Sequence, residues 1–495
     1  MKYISHPFVK DSSLEYREYQ VRLAFDALSQ NTLISIPTGL GKTVIALLAM
    51  AESLKSRGSC LFLAPTRPLV HQHYKLLKSY LKYDEEEIVF VTGEERREHR
   101  IDKWERKVVC ATPQVFKNDL DLGFIKPENF SLIIFDEAHR AVGDYAYVYI
   151  AKVFKDFPTR IMALTASLPS EKEKVNEILK NLNIERVEVR DESSEDVKPY
   201  VKETKIEWVK VDIPKFLFSL SQKLKEILKD KMKILRELNI IKEKANLREL
   251  LELRKNLKLL PKESRNTLFS CIRLYHALYL LETQGLSSFL NFLERSFKKV
   301  RSPATRELLR DKRIKEVYEL ARGYLMLGEE HPKLIKLKEI LNLKDKEKAI
   351  IFASYRDTVE RITEYLNNFG FKARKLIGKG GIDGLTQEDQ INTLEELREG
   401  SFNILVATQV GEEGLDISEC NLVVFYDNVP SAIRFIQRRG RTGRKSPGKM
   451  VIMLTRGTID EAYYWIGKRR LIESKALVRS MKKRKDYKSL DQFFL

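Results

Sequence analysis

LISIPTGLGKT (Leu33–Thr43), followed without a break by VIALLAMA (Val44–Ala51), decides how the chain begins to fold. An apolar run, a glycine-bearing turn and an apolar helix make the strand, loop and helix of a phosphate-binding unit. Gly39 and Gly41 let backbone N–H groups curl round phosphate oxygens with no Cβ in the way. The following helix turns its positive end toward the same anion. Lys42 can reach the β- and γ-phosphates, and the Thr43 hydroxyl can ligate Mg²⁺. Thr38, Gly39, Leu40, Gly41, Lys42 and Thr43 therefore form a candidate loop for ATP and Mg²⁺. The strict pattern GxxxxGK[ST] asks for glycine where Ile36 stands, so the match is to the variant xxTGxGKT.

Similar apolar runs recur outward from this stretch. CLFLA (Cys60–Ala64), KVVCA (Lys107–Ala111), LIIF (Leu132–Phe135) and RIMAL (Arg160–Leu164) alternate with helical sequence. AIIFA (Ala349–Ala353), NILVA (Asn403–Ala407), LVVFY (Leu422–Tyr426) and MVIML (Met450–Leu454) repeat the pattern late in the chain. Such runs predict two α/β domains, each with a parallel sheet covered on both faces. The sequence between them differs: no glycine occurs between Gly143 and Gly285. Leu217, Leu220, Leu224, Leu228, Met232, Leu235 and Leu238 recur at helical spacing. The expected division is 1–205 for a first α/β domain, 206–330 for an all-helical insertion, 331–480 for a second α/β domain and 481–495 for a basic tail.

IIFDEAHR (Ile133–Arg140) puts two carboxylates at the C-terminal end of a buried strand, the edge where α/β sheets bind ligands. Burying such a pair without a cation is costly. Asp136 is the candidate Mg²⁺ partner and Glu137 the base for an attacking water. QRRGRTGR (Gln437–Arg444) carries four arginines in eight residues. Guanidinium groups brought from a second surface can neutralise the charge that phosphoryl transfer spreads over oxygens. A basic nucleic-acid patch is the other reading of that run.

The 495 residues exceed one ordinary core, and the net charge of +19 with a pI near 9.4 suggests a polyanionic partner. Over 221–330 there are 25 Lys and Arg against 15 Asp and Glu, a net +10, so the insertion holds over half of the excess. No stretch of 18 apolar residues appears and MKYISHPFVKD lacks a signal-peptide core, so no membrane partner is expected. Cys60, Cys110, Cys271 and Cys420 form no CxxC pair, which fits a reducing, cytoplasmic compartment, with nucleoid association expected from the charge.

PTGLGKT, DEAH, TAS (Thr165–Ser167) and QRRGRTGR, in that order, resemble motifs I, II, III and VI of superfamily 2 helicases. REYQ (Arg17–Gln20), PTRPLV (Pro65–Val70), ATPQV (Ala111–Val115), IIFASYRDT (Ile350–Thr358) and VATQVGEEGLDI (Val406–Ile417) resemble the Q motif and motifs Ia, Ib, IV and V. The resemblance implies two RecA-like domains and an ATP-dependent helicase. It implies that Arg17 and Gln20 serve the adenine, that Arg441 and Arg444 are arginine fingers and that Gln437 senses the γ-phosphate. Gly414 and Asp416 then lie against the nucleotide, and Thr165 and Ser167 link hydrolysis to movement. Thr66, Arg67, Thr112, Pro113, Ser354, Arg356 and Thr408 are implied to line the strand track. With its helical insertion, the chain is most similar to the family of archaeal Hef and Fanconi anaemia group M proteins. That implies branched DNA, such as stalled forks and Holliday junctions, as partner. The nuclease signature ERKxxxD, which often follows in that family, does not occur in this chain, so no cleavage activity is expected.

The basic insertion is expected to clamp DNA through phosphates, with Arg254/Lys255/Lys258 and Lys298/Lys299/Arg301 as candidate clusters. In the tail, Leu490, Phe493 and Phe494 have the spacing of a sliding-clamp peptide, although Tyr487 stands at its glutamine position. Two competing readings are a double-stranded-RNA-dependent ATPase and a clamp-tethered DNA-binding scaffold. His71 and His73 have no carboxylate or cysteine at ligand spacing and read as surface or helix-face histidines; Trp104 and the alternation Tyr145/Tyr147/Tyr149 read as core or edge packing, with base stacking as the other reading.

Overall fold

The computed structural model describes residues 2–480, apart from 57, 202–203, 244, 299–302, 345–346, 379–383, 409–419 and 428–447. The first sheet comprises β1 (Thr32–Ser35), β2 (Ser59–Leu63), β3 (Ile88–Val91), β4 (Val108–Ala111), β5 (Phe130–Phe135), β6 (Arg160–Thr165) and β7 (Arg186–Val189). All pairs are parallel, in the order β3-β4-β2-β5-β6-β1-β7. Successive side chains on a strand point to opposite faces. Leu33, Leu61 and Ile133 accordingly enter one core, while Ile34, Phe62 and Ile134 enter the other. That double burial explains why these strands read as unbroken apolar runs.

The second sheet comprises β8 (Thr204–Val211), β9 (Ala349–Phe352), β10 (Ala373–Leu376), β11 (Ile404–Ala407), β12 (Leu422–Phe425) and β13 (Gly448–Thr455). It too is parallel, in the order β10-β11-β9-β12-β13-β8. The α/β architecture expected from sequence is therefore present twice. One boundary needs correction. The expected border at 205/206 cuts through β8, which pairs with β13 along its whole length. The chain lays down an edge strand of the second sheet before it enters the insertion.

The insertion is a bundle of helices Lys215–Glu237, Leu247–Lys255, Lys262–Thr283, Leu286–Lys298, Pro303–Arg310 and Lys312–Met326 around its own core. Leu217, Leu220, Leu224, Leu228, Met232 and Leu235 are buried there, as their spacing predicts, whereas Leu238 follows the last turn and is exposed. Tyr355, Ile459 and Tyr463 of the second α/β domain pack against this bundle. The four cysteines are buried free thiols, and burial pushes Cys60 and Cys271 up to about 12. Among the described residues no helix is long and apolar enough to cross a membrane.

Candidate ATP site and nucleic-acid track

The phosphate loop leaves β1 and enters helix α2 (Lys42–Ser53) through Gly41, which has φ 81°. Gly39 has φ 88°. Both angles lie in the region that side chains disfavour. A Cβ on Gly41 would also strike the Gln20 amide. Gln20, in helix α1 (Glu18–Ser29), donates to the Leu40 carbonyl at 3.2 Å, and the Tyr19 hydroxyl donates to the same oxygen at 2.8 Å. In this structure the Gln20 amide therefore braces the loop itself. Arg17 stacks over Tyr200 and pairs with Glu15 at 2.9 Å.

β5 delivers Asp136 and Glu137 to the same sheet edge, both nearly buried. Tyr147 donates to the backbone carbonyls of Asp136 at 2.7 Å and Leu63 at 3.1 Å, which locks the strand end. Glu137 sits at φ 49°, ψ 48°, a left-handed conformation costly for a side chain of this kind. Strain of that sort gathers where a group must be aimed. His139 Nδ1 lies 3.3 Å from Glu137 Oε2 and 3.3 Å from Thr165 Oγ1. The Thr165 hydroxyl donates to the Ser167 carbonyl at 2.7 Å and accepts from the Ser167 N–H at 3.2 Å. With its hydrogen spent on Ser167, Thr165 can only accept from His139, which puts a proton on Nδ1. DEAH and TAS are thus one hydrogen-bonded unit across β5 and β6.

The loop glycines, a lysine at a helix start and two buried carboxylates fit a nucleotide carrying Mg²⁺. Among the described residues no cluster of three or more His, Cys, Asp or Glu is placed to hold a metal by protein ligands alone. That agrees with a cation taken by one or two side chains plus phosphate oxygens and water.

His73 corrects the sequence reading. It lies in α3 (Arg67–Tyr80), is buried, and its Nε2 is 3.0 Å from Asp136 Oδ2. Its Nδ1 is 3.5 Å from Thr43 Oγ1. The carboxylate partner absent from its sequence neighbourhood is supplied by the sheet, 63 residues on. The one sequence signal was its place on the apolar face of α3, with Leu69, Val70 and Leu77. Trp104 is core as expected and donates to Asp119 at 3.0 Å.

Two helices begin beside this edge. Thr66 precedes α3 and Thr112 precedes the helix Pro113–Asp121, and neither threonine caps its helix through its side chain. Their first-turn N–H groups lack a side-chain cap, a geometry that receives phosphate. Arg67 pairs with Glu94. In the second domain the Ser354 hydroxyl and N–H both donate to Asp427, at 2.9 and 2.8 Å. Arg356 donates to the Gly378 carbonyl at 2.6 Å. Thr408 follows β11, nearly buried, its N–H bonded to Leu376. Gly414, Asp416, Gln437, Arg441 and Arg444 lie outside the described residues, as do Leu490, Phe493 and Phe494.

The DEAD/DEAH box helicase family matches residues 17–175 and the helicase conserved C-terminal domain matches 332–446. A helical bundle described for a putative ATP-dependent RNA helicase matches 218–323. The chain is 42% identical to a putative ATP-dependent RNA helicase of Methanocaldococcus jannaschii, covering 97% of this chain and 63% of that protein. It is 31% identical to the mouse Fanconi anemia group M protein homolog, over 90% of this chain and 25% of that protein. It therefore spans less than two thirds of these curated relatives. The crystal structure of the Pyrococcus furiosus Hef helicase domain is 41% identical, with a TM-score of 0.66, covering 91% of this chain and 97% of that one. The chain belongs to the superfamily 2 helicases, close to the Hef and Fanconi anaemia group M proteins.

Proposed function

We propose that the chain is a Mg²⁺-dependent motor on DNA, acting on branched forms such as stalled forks and Holliday junctions. The observation that supports this most is where the basic insertion sits. Gln284, at the end of its helix Lys262–Thr283, donates to Asp427 at 3.0 Å, and the same carboxylate accepts from Ser354. Ser288 bonds Thr358 at 3.0 Å, and Arg295 pairs with Asp357. The insertion, with its net positive charge, is therefore fastened beside the motif IV residues of the proposed track. Arg254, Lys255 and Lys258, at the end of the insertion helix Leu247–Lys255 and just after it, are exposed and make no ion pair among the described residues. Exposed cations of this kind suit duplex arms held by phosphates without reading bases.

In this reading the loop Thr38–Thr43 cradles the phosphates, with Arg17 and Gln20 at the adenine side. Lys42 holds the terminal phosphates, and Glu137 orients and deprotonates the attacking water. Thr43 and Asp136 would hold Mg²⁺, which would supply charge neutralisation at the phosphates. Gln437, Arg441, Arg444, Gly414 and Asp416 complete the site from the second domain. His139 passes any shift of Glu137 to Thr165 and Ser167. Thr66, Arg67, Thr112, Pro113, Ser354, Arg356 and Thr408 hold the strand. A sliding clamp contact through Leu490, Phe493 and Phe494 is part of the same reading, and Phe493→Ala/Phe494→Ala should abolish clamp pull-down.

Double-stranded RNA is the second reading, because the Methanocaldococcus relative and the helical-bundle family both carry RNA in their descriptions. Steady-state ATP hydrolysis with forked DNA, linear duplex DNA and double-stranded RNA separates the two. The proposal expects the strongest stimulation from forked DNA, removed by Glu137→Gln. Stimulation by RNA alone moves the chain to the second reading. No stimulation by any of the three favours a DNA-binding scaffold.

A further inference from the structure

His73 is absent from every motif that identified this chain, yet its ring is wedged between the two side chains assigned to Mg²⁺. It packs on Phe62 of β2 with ring centres 4.3 Å apart. It is 4% exposed, so its nitrogens must be satisfied internally. For a neutral imidazole the hydrogen-bond arithmetic has one solution. Asp136 Oδ2, 3.0 Å away, accepts, so Nε2 carries the hydrogen. Nδ1 is then the acceptor and the Thr43 hydroxyl, at 3.5 Å, points its hydrogen toward it. Both bonds leave metal-binding capacity in place. The Thr43 oxygen keeps its lone pairs, and Asp136 keeps Oδ1 and the remaining lone pair of Oδ2. Each bond also fixes a torsion, so both oxygens are set before a cation arrives.

We propose that His73 is a positioning residue for the cation end of the ATP site: it orients Asp136 and Thr43 toward one divalent ion accompanying a nucleoside polyphosphate. The inference rests on the ATP–Mg²⁺ reading of that site. It adds a mechanical link, because His73 rides on α3. The same helix begins with Arg67 and is preceded by Thr66, both assigned to the track. A displacement of α3 along its axis moves the imidazole that holds Asp136. The brace comes from the nucleic-acid side of the domain, not from the phosphate loop.

The test is binding of a fluorescent ADP analogue to the full chain, titrated with Mg²⁺ and repeated in EDTA. Outer-shell partners of metal ligands typically contribute about 10–100-fold to metal affinity. His73→Ala should raise the half-saturating Mg²⁺ concentration roughly tenfold or more, with ADP affinity in EDTA unchanged. His73→Phe keeps the packing on Phe62 and removes both nitrogens, so it should show the same rise and exclude a folding defect as the cause. His73→Gln can donate to Asp136 and accept from Thr43, and should restore the wild-type value. Wild-type Mg²⁺ dependence retained in both His73→Ala and His73→Phe overturns the positioning role alone. ADP binding by the wild-type chain that is indifferent to Mg²⁺ overturns the metal-site reading, and this inference with it.

Discussion

The ATP edge of the first sheet and the joint between the insertion and the second sheet are built in opposite ways. At the ATP edge, polar groups arrive as short consecutive runs at the ends of β1, β5 and β6, and several are poised for something from outside. Glu137 is held in a left-handed conformation, and Thr66 and Thr112 leave their helix starts without side-chain caps. At the joint, single residues from distant parts of the chain satisfy one another. Lys333 Nζ is 2.5 Å from Asp460 Oδ2 and donates to the Tyr426 carbonyl at 2.8 Å, with both side chains fully buried. Asp460 also accepts from the Thr455 N–H at 3.1 Å. His331 Nδ1 accepts from the Lys333 N–H, and Nε2 donates to the Glu282 carbonyl at 3.1 Å. The first region is completed by a ligand; the second is already closed. A substitution should therefore cost activity in one and stability in the other.

The largest expected effect separates the two directly. Glu137→Gln should lower ATP turnover by about 10²–10⁴-fold, the range for losing a general base. The melting temperature should stay near wild type, because the amide keeps the shape. Lys333→Met is the mirror case. It strands Asp460 in the interior and should cost about 3–5 kcal/mol in denaturant unfolding of the second domain. ADP affinity of the first domain should be unchanged, and a large loss there would break the comparison.

The joint should also carry a pH dependence that the ATP edge does not need. Burial pushes His331 down to about 3 from its ordinary 6.5. The folded state thus binds fewer protons than the unfolded one below the unfolded value, so stability is present above it and is lost as pH falls through this window. Between pH 7 and pH 5 the loss should be about 2 kcal/mol. Urea midpoints at both pH values measure it, and His331→Gln should flatten the difference. The smallest effect expected is on the surface. Replacing Arg254, Lys255 and Lys258 by alanine should reduce the slope of log affinity for DNA against log salt by about two to three. An unchanged slope would leave that face as solvated charge.

The way the sequence hid part of the fold follows the same physics. Every central strand was legible because burial on both faces makes an apolar run. The four strands without such a reading, β3, β7, β8 and β10, are the two edges of each sheet. Edge strands have a single neighbour, and Arg186 and Glu188 interrupt β7 as Arg374 and Lys375 interrupt β10, whereas β3, IVFV, is apolar throughout and has no such interruption. β8 carried a second difficulty. Its polar residues Lys205, Glu207 and Lys210 do not say which sheet it joins, so the border expected at 205/206 falls inside it. In the site, Lys42, Thr43, Asp136, Glu137, Thr165 and Ser167 were legible as motifs because chemistry demands them in consecutive order. His73, Tyr147, Gln284 and Asp427 were not, since each acts through a partner that only the folded chain brings near.

Displacement of a labelled arm from forked DNA tests the central claim most directly, with wild-type protein and the Glu137→Gln variant at equal occupancy of the DNA. The account predicts ATP-dependent displacement by the wild-type chain and none by the variant, although both bind the fork. Equal displacement by the two, or wild-type ATP hydrolysis that no nucleic acid alters and that displaces nothing, would contradict it.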